Sequence, residues 1–321
     1  MRNQRVMVLV LAMLGAVTFA CSAEVVRIAL DWTPNTNHTG LFVAMELGFF
    51  ADEGLDVRVL EPGPVVAIHL VAAGHAEFGI ASQEYITMAR AQDVPVVSIA
   101  TVFQHNTSGF AAPLDRNIVS PRDFAGRRYG GWGSEMEEAM IRTVMEREGA
   151  DFATVSMINI GMIDFTTAIR QDLADFFWIF YGWQGIHAEL QGLDITFMPL
   201  PKLDEVLDYY TPLIFTSEEM IRARPETVRR FLRALARGYV YAAQHPVLAA
   251  RILLRVAPEL DPDLVLISQA WLAGQSETEI TAWGRQDPHV WDRFARWALE
   301  NGMIERPIVP EGAFTNAFLP E

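Results

Sequence analysis

Between Val25 and Val102 the sequence alternates short β-branched runs with helix-period segments, and few folds accept that order. Val25–Leu30 reads as a buried strand, Leu41–Leu47 as a helix closed by Gly48, and Leu55–Leu60 as a second strand. Gly63-Pro64 opens a helix ending near Gly74. Glu77–Ala81 is a third strand, followed by a helix to about Gln92 and a long strand over Pro95–Val102. An order of β-α-β-α-β-α-β predicts a mostly parallel sheet flanked by helices. Gly109–Pro113 is the expected crossover. A second α/β run comes next: a strand at Arg127–Tyr129, a helix Glu135–Arg147 started by the Ser134/Glu137 capping box, and strands at Ser156–Ile160, Asp175–Phe180 and Ile195–Pro199. Helices are expected at Asp164–Arg170 and Trp183–Gln191. Tyr209–Phe215 is the expected return strand. Beyond Ser217 the pattern is helical, with Pro225, Pro246, Pro262 and Pro288 each at a helix start. The fold class is therefore α/β: two lobes, two crossovers and a helical C-terminal tail.

The first twenty residues differ from the rest. Arg2 and Arg5 precede an apolar run of twelve residues, Val6–Val17, which is too short to span a bilayer and suits a secretory signal over 1–20. Its removal takes the formal charge from −15 to −17. Thr18-Phe19-Ala20-Cys21 is similar to a bacterial lipobox, with Cys21 as the acylated residue, although Thr18 stands where leucine is usual and Phe19 is bulky. The other reading is a cut near Ala23 that discards Cys21. Export is common to both, and any contact with a membrane would be through the lipid anchor. The acidic balance argues against nucleic acid and anionic membrane surfaces as partners. With one cysteine in 321 residues there is no internal disulfide, and no histidine pair has metal-ligand spacing.

Candidate ligand residues fall at strand ends, where ligands settle in open α/β sheets. The loop Asp31–Thr39 comes after the first strand. Trp32 offers a flat stacking face, and Asn35 and His38 can donate and accept hydrogen bonds. Trp32 also suits a core position, and the asparagines suit turns. Ser82, Gln83 and Glu84 come after the third strand, where Ser82 can also cap the next helix. The glycine-rich turn around Gly131 and Trp132 enters a helix N-terminus, which presents free N–H groups to an anion or carbonyl oxygen. It lacks the Lys-Ser/Thr pair of a P-loop. Tyr181 stands at the end of the central strand. In the next helix Trp183, Ile186, His187 and Leu190 make a core stripe, and Glu189 lies at its edge.

The string Asp31-Trp32-Thr33-Pro34-Asn35-Thr36-Asn37-His38 resembles the opening loop of the periplasmic pyrimidine-precursor binding proteins of thiamine salvage, a family shared with fungal-type hydroxymethylpyrimidine phosphate synthases. The resemblance continues through Gly48-Phe49-Phe50, Glu53-Gly54-Leu55-Asp56-Val57, Gln104–Gly109, Tyr129–Ser134 and Trp178–Trp183. It implies a type II-like periplasmic binding protein, with lobe I from 24–111 and 212–321, lobe II from 112–211, and the ligand between them. It also implies a tyrosine and a glutamate for the pyrimidine, matching Tyr181 and Glu189. The synthases carry a lysine and a histidine just after the third strand and a cysteine-rich run later. Here Ile80–Thr87 has neither residue, and Cys21 is the only cysteine. The implied protein is a monomeric, cofactor-free binder rather than an enzyme, serving an ABC permease. Its implied ligand is an aminopyrimidine, or riboflavin or another flat heterocycle. A sulfonate ligand is disfavoured by the Trp and Tyr pair.

Overall fold

The computed structural model describes residues 23–321 except 64 and 162, so the expected signal segment and Cys21 lie outside the described residues. Among the described residues, ten strands form two five-stranded mixed sheets. In the first, β1 (Glu24–Ala29) pairs in parallel with β2 (Leu55–Leu60) and β3 (Phe78–Ala81). The antiparallel β10 (Leu213–Ser217) then sits between β3 and β4 (Val96–Thr101). The second sheet repeats the plan. Its β6 (Arg128–Gly131) pairs in parallel with β7 (Ser156–Asn159) and β8 (Phe176–Phe180), and the antiparallel β5 (Ser108–Pro113) sits between β8 and β9 (Ile195–Pro199).

Each sheet thus takes its antiparallel strand from just after a crossover. This moves the first crossover. Gly109–Pro113, expected to be the connection, is strand β5 of the second sheet, so the connection lies in 102–107 and a boundary at 111 cuts through a strand. The segment lacks β-branched side chains because it is enclosed: a Cβ at Gly109 would lie 2.4 Å from the Met198 carbonyl oxygen. The two crossovers are tied together. The Asn106 amide nitrogen donates to the Leu207 carbonyl, the Asn106 backbone N–H donates to Asp208, and His105 Nδ1 lies 2.7 Å from the same aspartate.

Two apolar layers cover each sheet. Pro225–Gln244 is the longest helix, and it buries Val228, Phe231, Leu232, Leu235 and Tyr239 against the first sheet. The helix Thr39–Glu46 crosses it at a glycine pair: a Cβ on Gly238 would meet the Gly40 carbonyl oxygen at 2.1 Å. Only glycine permits that approach, and it fixes where the loop before Thr39 sits. Pro246–Val256, Pro262–Ala273 and Pro288–Glu300 continue the tail, each with proline in its first turn. The last of these packs Phe294, Trp297 and Ala298 into the core of the second sheet, so the tail joins both lobes.

In the second lobe, one expected helix starts differently. Tyr181–Gly185 forms a wide, π-type turn before the helix Ile186–Leu190. The extra width rotates the remainder of the helix: Ile186 and Ala188 are buried, while Leu190, expected in the core stripe, is exposed.

Candidate functional site

The loop after β1 is locked from within. The Asn35 side-chain oxygen accepts from the Asn37 N–H at 2.9 Å, and its amide nitrogen donates to the Thr33 carbonyl at 3.0 Å. His38 is 1% exposed. Its Nδ1 accepts from the Asn35 N–H, so the proton resides on Nε2, which donates to Asp31 Oδ1 at 2.8 Å. The Tyr239 hydroxyl donates to the Asn37 carbonyl from the long helix. Asn35 and His38, both expected at the ligand, are therefore occupied in shaping the loop. What the loop holds out is Trp32, 50% exposed. A large indole left in solvent on a rigid loop is a preorganised stacking face.

After β3, the three expected residues divide. Gln83 is fully buried, and its side-chain oxygen accepts from the Tyr210 N–H at 3.0 Å. Its backbone N–H donates to the Tyr210 carbonyl. Gln83 thus secures the second crossover. Ser82 is the N-cap of the helix Gln83–Ala91 but makes no capping hydrogen bond. Glu84 is buried beside it, and the Tyr85 ring, which no sequence pattern singles out, is exposed.

After β6, Glu137 organises the glycine-rich turn. One carboxyl oxygen accepts from the Tyr129 hydroxyl at 2.7 Å and the Trp132 N–H at 3.2 Å. The other accepts from the Ser134 N–H at 2.8 Å and its hydroxyl at 3.1 Å. Gly131 lies over this carboxylate: an added Cβ would meet Oε1 at 2.0 Å. Gly131 is therefore required sterically. Trp132 is held against Trp178 at 5.2 Å between ring centroids and remains 41% exposed. Trp178 is in turn fixed by donating from Nε1 to Ser108 Oγ at 2.8 Å.

Strand alternation divides β8. Phe176 and Trp178 face one core of the second lobe, and Phe177 and Ile179 the other. Tyr181 continues the second set. Its ring packs against Phe197 at 4.9 Å and Trp271 at 5.2 Å, and its hydroxyl donates to Glu189 at 2.8 Å. The two residues implied by the resemblance thus pair with each other, and Glu189 is exposed. Burial, with the Glu189 carboxylate beside it, pushes the Tyr181 hydroxyl up to about 12. The lobes meet here through Ser268, whose hydroxyl lies 2.5 Å from Thr36 Oγ1 of the opening loop and donates to the Gly182 carbonyl.

The clearest surface hollows lie elsewhere. One of about 240 Å³ lies between Glu135–Arg142 and Asn301, and one of about 250 Å³ around Val97 and Phe314. Neither is lined by Trp32, Glu84, Trp132, Tyr181 or Glu189. Among the described residues no helix is long and apolar enough to cross a membrane, and no cluster of three His, Cys, Asp or Glu side chains could hold a metal ion.

Two mixed sheets joined by paired crossovers, with aromatic and carboxyl groups at strand ends in both halves, define the two-lobed periplasmic-binding-protein fold. The periplasmic aliphatic sulphonate binding protein SsuA from Escherichia coli shares it, with a TM-score of 0.72 over 90% of this chain and 91% of that one, at 12% identity. More narrowly, residues 35–249 match the NMT1/THI5 like family model, and the chain belongs to that family. Two relatives stand on different sides of its functional range. The formylaminopyrimidine-binding protein of Halalkalibacterium halodurans is 28% identical over 91% of this chain and 90% of its own. The 4-amino-5-hydroxymethyl-2-methylpyrimidine phosphate synthase of Legionella pneumophila is 28% identical over 92% of each.

Proposed function

We propose that this chain is the exported substrate-binding component of an ABC importer, and that it captures a thiamine pyrimidine precursor of the formylaminopyrimidine or hydroxymethylpyrimidine type. The observation that carries this reading is the locked opening loop: four internal hydrogen bonds and the Tyr239 contact hold Trp32 outward. A flat ring stacking on Trp32 and Trp132 would gain on the order of 1–3 kcal/mol per face, by the base–aromatic scale. The relative named for formylaminopyrimidine binding, matched along nine-tenths of both chains, supports the ligand class.

The competing reading is catalysis, as the Legionella relative's name states for that protein. Against it stands the segment 80–87, which has no lysine to hold pyridoxal phosphate as an imine and no histidine beside it. Two experiments test the pair. Mass spectrometry of small molecules released from the purified protein is expected to find an aminopyrimidine. Incubation with pyridoxal phosphate and iron is expected to give no imine absorbance and no pyrimidine, and either product would overturn the binding-only reading.

A further inference from the structure

The wide turn Tyr181–Gly185 faces two ways. Tyr181 packs within the second lobe: its ring lies 4.9 Å from Phe197, and its hydroxyl donates to Glu189. Two residues on, Trp183 is half-buried against the core of the first lobe. Gly182, between them, lies against the tail helix Pro262–Ala273. A Cβ there would meet Trp271 Cε3 and Cζ3 at 2.9 Å and Leu272 Cδ2 at 3.2 Å, and the Gly182 carbonyl accepts from the Ser268 hydroxyl. That helix is rooted in the first lobe, with Val265 and Leu272 in its core. From the same helix, the Trp271 ring lies 5.2 Å from the ring of Tyr181. The turn itself is held firmly. The Gln184 side-chain oxygen accepts from the Phe180 N–H at 2.9 Å, and a Cβ at Gly185 would meet Tyr181 Cδ2 at 2.5 Å.

We propose that Trp271 and Trp183 form a clasp between the lobes that positions Tyr181 for the ligand, so that the second lobe's half of the site is complete only when the tail helix is docked on the turn. This rests on the aminopyrimidine reading given above, with Tyr181 as a ligand residue. The Tyr181 ring has three walls: Phe197 and Gly185 from its own lobe, and Trp271 from the other. Opening the lobes about the crossovers removes the Trp271 wall and leaves the other two. A ring held on that side has less freedom to lose when a flat ligand packs on it, so the docked helix preorganises the contact.

The coupling runs both ways. A ligand that steadies Tyr181 favours the docked turn, and a docked turn steadies the ligand by the same factor. Because ligand contact and interlobe contact sit on one short, stiff turn, no longer path is needed between them. Trp271 and Trp183 are positioning residues, and neither needs to touch the ligand. Their effect falls on release: the encounter takes place with the lobes apart, and the clasp must break before the ligand leaves.

The test measures release of radiolabelled 4-amino-5-hydroxymethyl-2-methylpyrimidine, chased with unlabelled compound, and its affinity by calorimetry. The proteins are wild type, Trp271→Ala, Trp271→Phe and Gly182→Ala, with Trp271→Ala repeated in a Tyr181→Ala background. Trp271→Ala is expected to release the ligand roughly tenfold faster, with the association rate changed less than about twofold, and Trp271→Phe to stay within about threefold of wild type. Gly182→Ala wedges the same contact from the other lobe and should match Trp271→Ala, so it carries the test if the alanine at 271 does not fold. In the Tyr181→Ala background, Trp271→Ala should weaken affinity by less than about a further twofold, because its effect passes through the tyrosine. Release unchanged in Trp271→Ala and Gly182→Ala overturns the clasp. Losses that simply add in the double variant overturn its action through Tyr181. Wild type that binds no aminopyrimidine overturns the ligand reading and this role together, whereas ordinary binding with unaltered release overturns the clasp alone.

Discussion

Replacing Glu137 by glutamine should destabilise the second lobe far more than its near-isosteric shape suggests. Every partner of this carboxylate is a donor: the Tyr129 hydroxyl, the Trp132 N–H, and the Ser134 N–H and hydroxyl. A glutamine has one acceptor end and one donor end. Whichever way it turns, its NH2 faces a backbone N–H of Trp132 or Ser134 that cannot become an acceptor. The Tyr129 hydroxyl can rotate to compensate, but the backbone cannot. Hydrogen bonds to a charged group contribute about 1.5–3 kcal/mol each, and one N-terminal cap about 0.5–2 kcal/mol, so the net loss should be about 2–4 kcal/mol. At roughly 2–4 °C per kcal/mol for chains of 150–250 residues, and somewhat less for this longer one, the melting temperature should fall by at least about 3 °C. Ligand affinity should fall with it, because Trp132 is positioned by the same carboxylate. Differential scanning calorimetry of wild type and Glu137→Gln gives the answer. A shift under about 1 °C would refute the view that this buried carboxylate organises the turn.

Other outcomes rest on single contacts. Gly131→Ala, whose methyl group would sit 2.0 Å from Glu137 Oε1, should misplace Trp132 and weaken ligand binding at least about tenfold, read by calorimetry. Ser268→Ala removes the hydroxyl that joins Thr36 of one lobe to Gly182 of the other, so small-angle scattering should show a larger radius of gyration and titration a roughly fivefold weaker affinity. Asp175 is buried and held below the usual carboxylate range, first by its side-chain hydrogen bonds to Arg128. Its contribution, about 1–3 kcal/mol, is present above about pH 4 and disappears as the pH falls toward the depressed value, so the stability gap between wild type and Asp175→Asn should close in acid. Denaturation monitored from neutral pH down to about pH 3 checks the sign.

Features set by local chemistry were legible in the sequence. The helices Pro225–Gln244 and Glu135–Arg147 start where expected, because proline at the first position and a Ser/Glu capping box mark starts that depend on no distant contact. Strand β5 was not legible: its small residues answer to the close approach of β9, which sequence period does not record. The wide turn at Tyr181–Gly185 was missed for a similar reason, since a change of register within a helix leaves composition unchanged. At the strand ends, the hydrogen bonds of the candidate residues could not be apportioned from sequence. Asn35, His38 and Gln83 carry the donors and acceptors a ligand would want, and each is engaged by the backbone instead. Tyr85 gave no signal beyond its place next to Glu84. The Ser134/Glu137 box showed in sequence as a cap, and the same pair positions Trp132.

The central claim is that this protein holds an aminopyrimidine, and competition binding tests it most directly. Purified protein stripped of bound small molecules is titrated with 4-amino-5-hydroxymethyl-2-methylpyrimidine and its formylated precursor, each alone and then in the presence of riboflavin. Tight binding of an aminopyrimidine that riboflavin does not displace, weakened roughly tenfold or more in Trp32→Ala, is the predicted result. Tight riboflavin binding that an excess of either pyrimidine leaves untouched would contradict it.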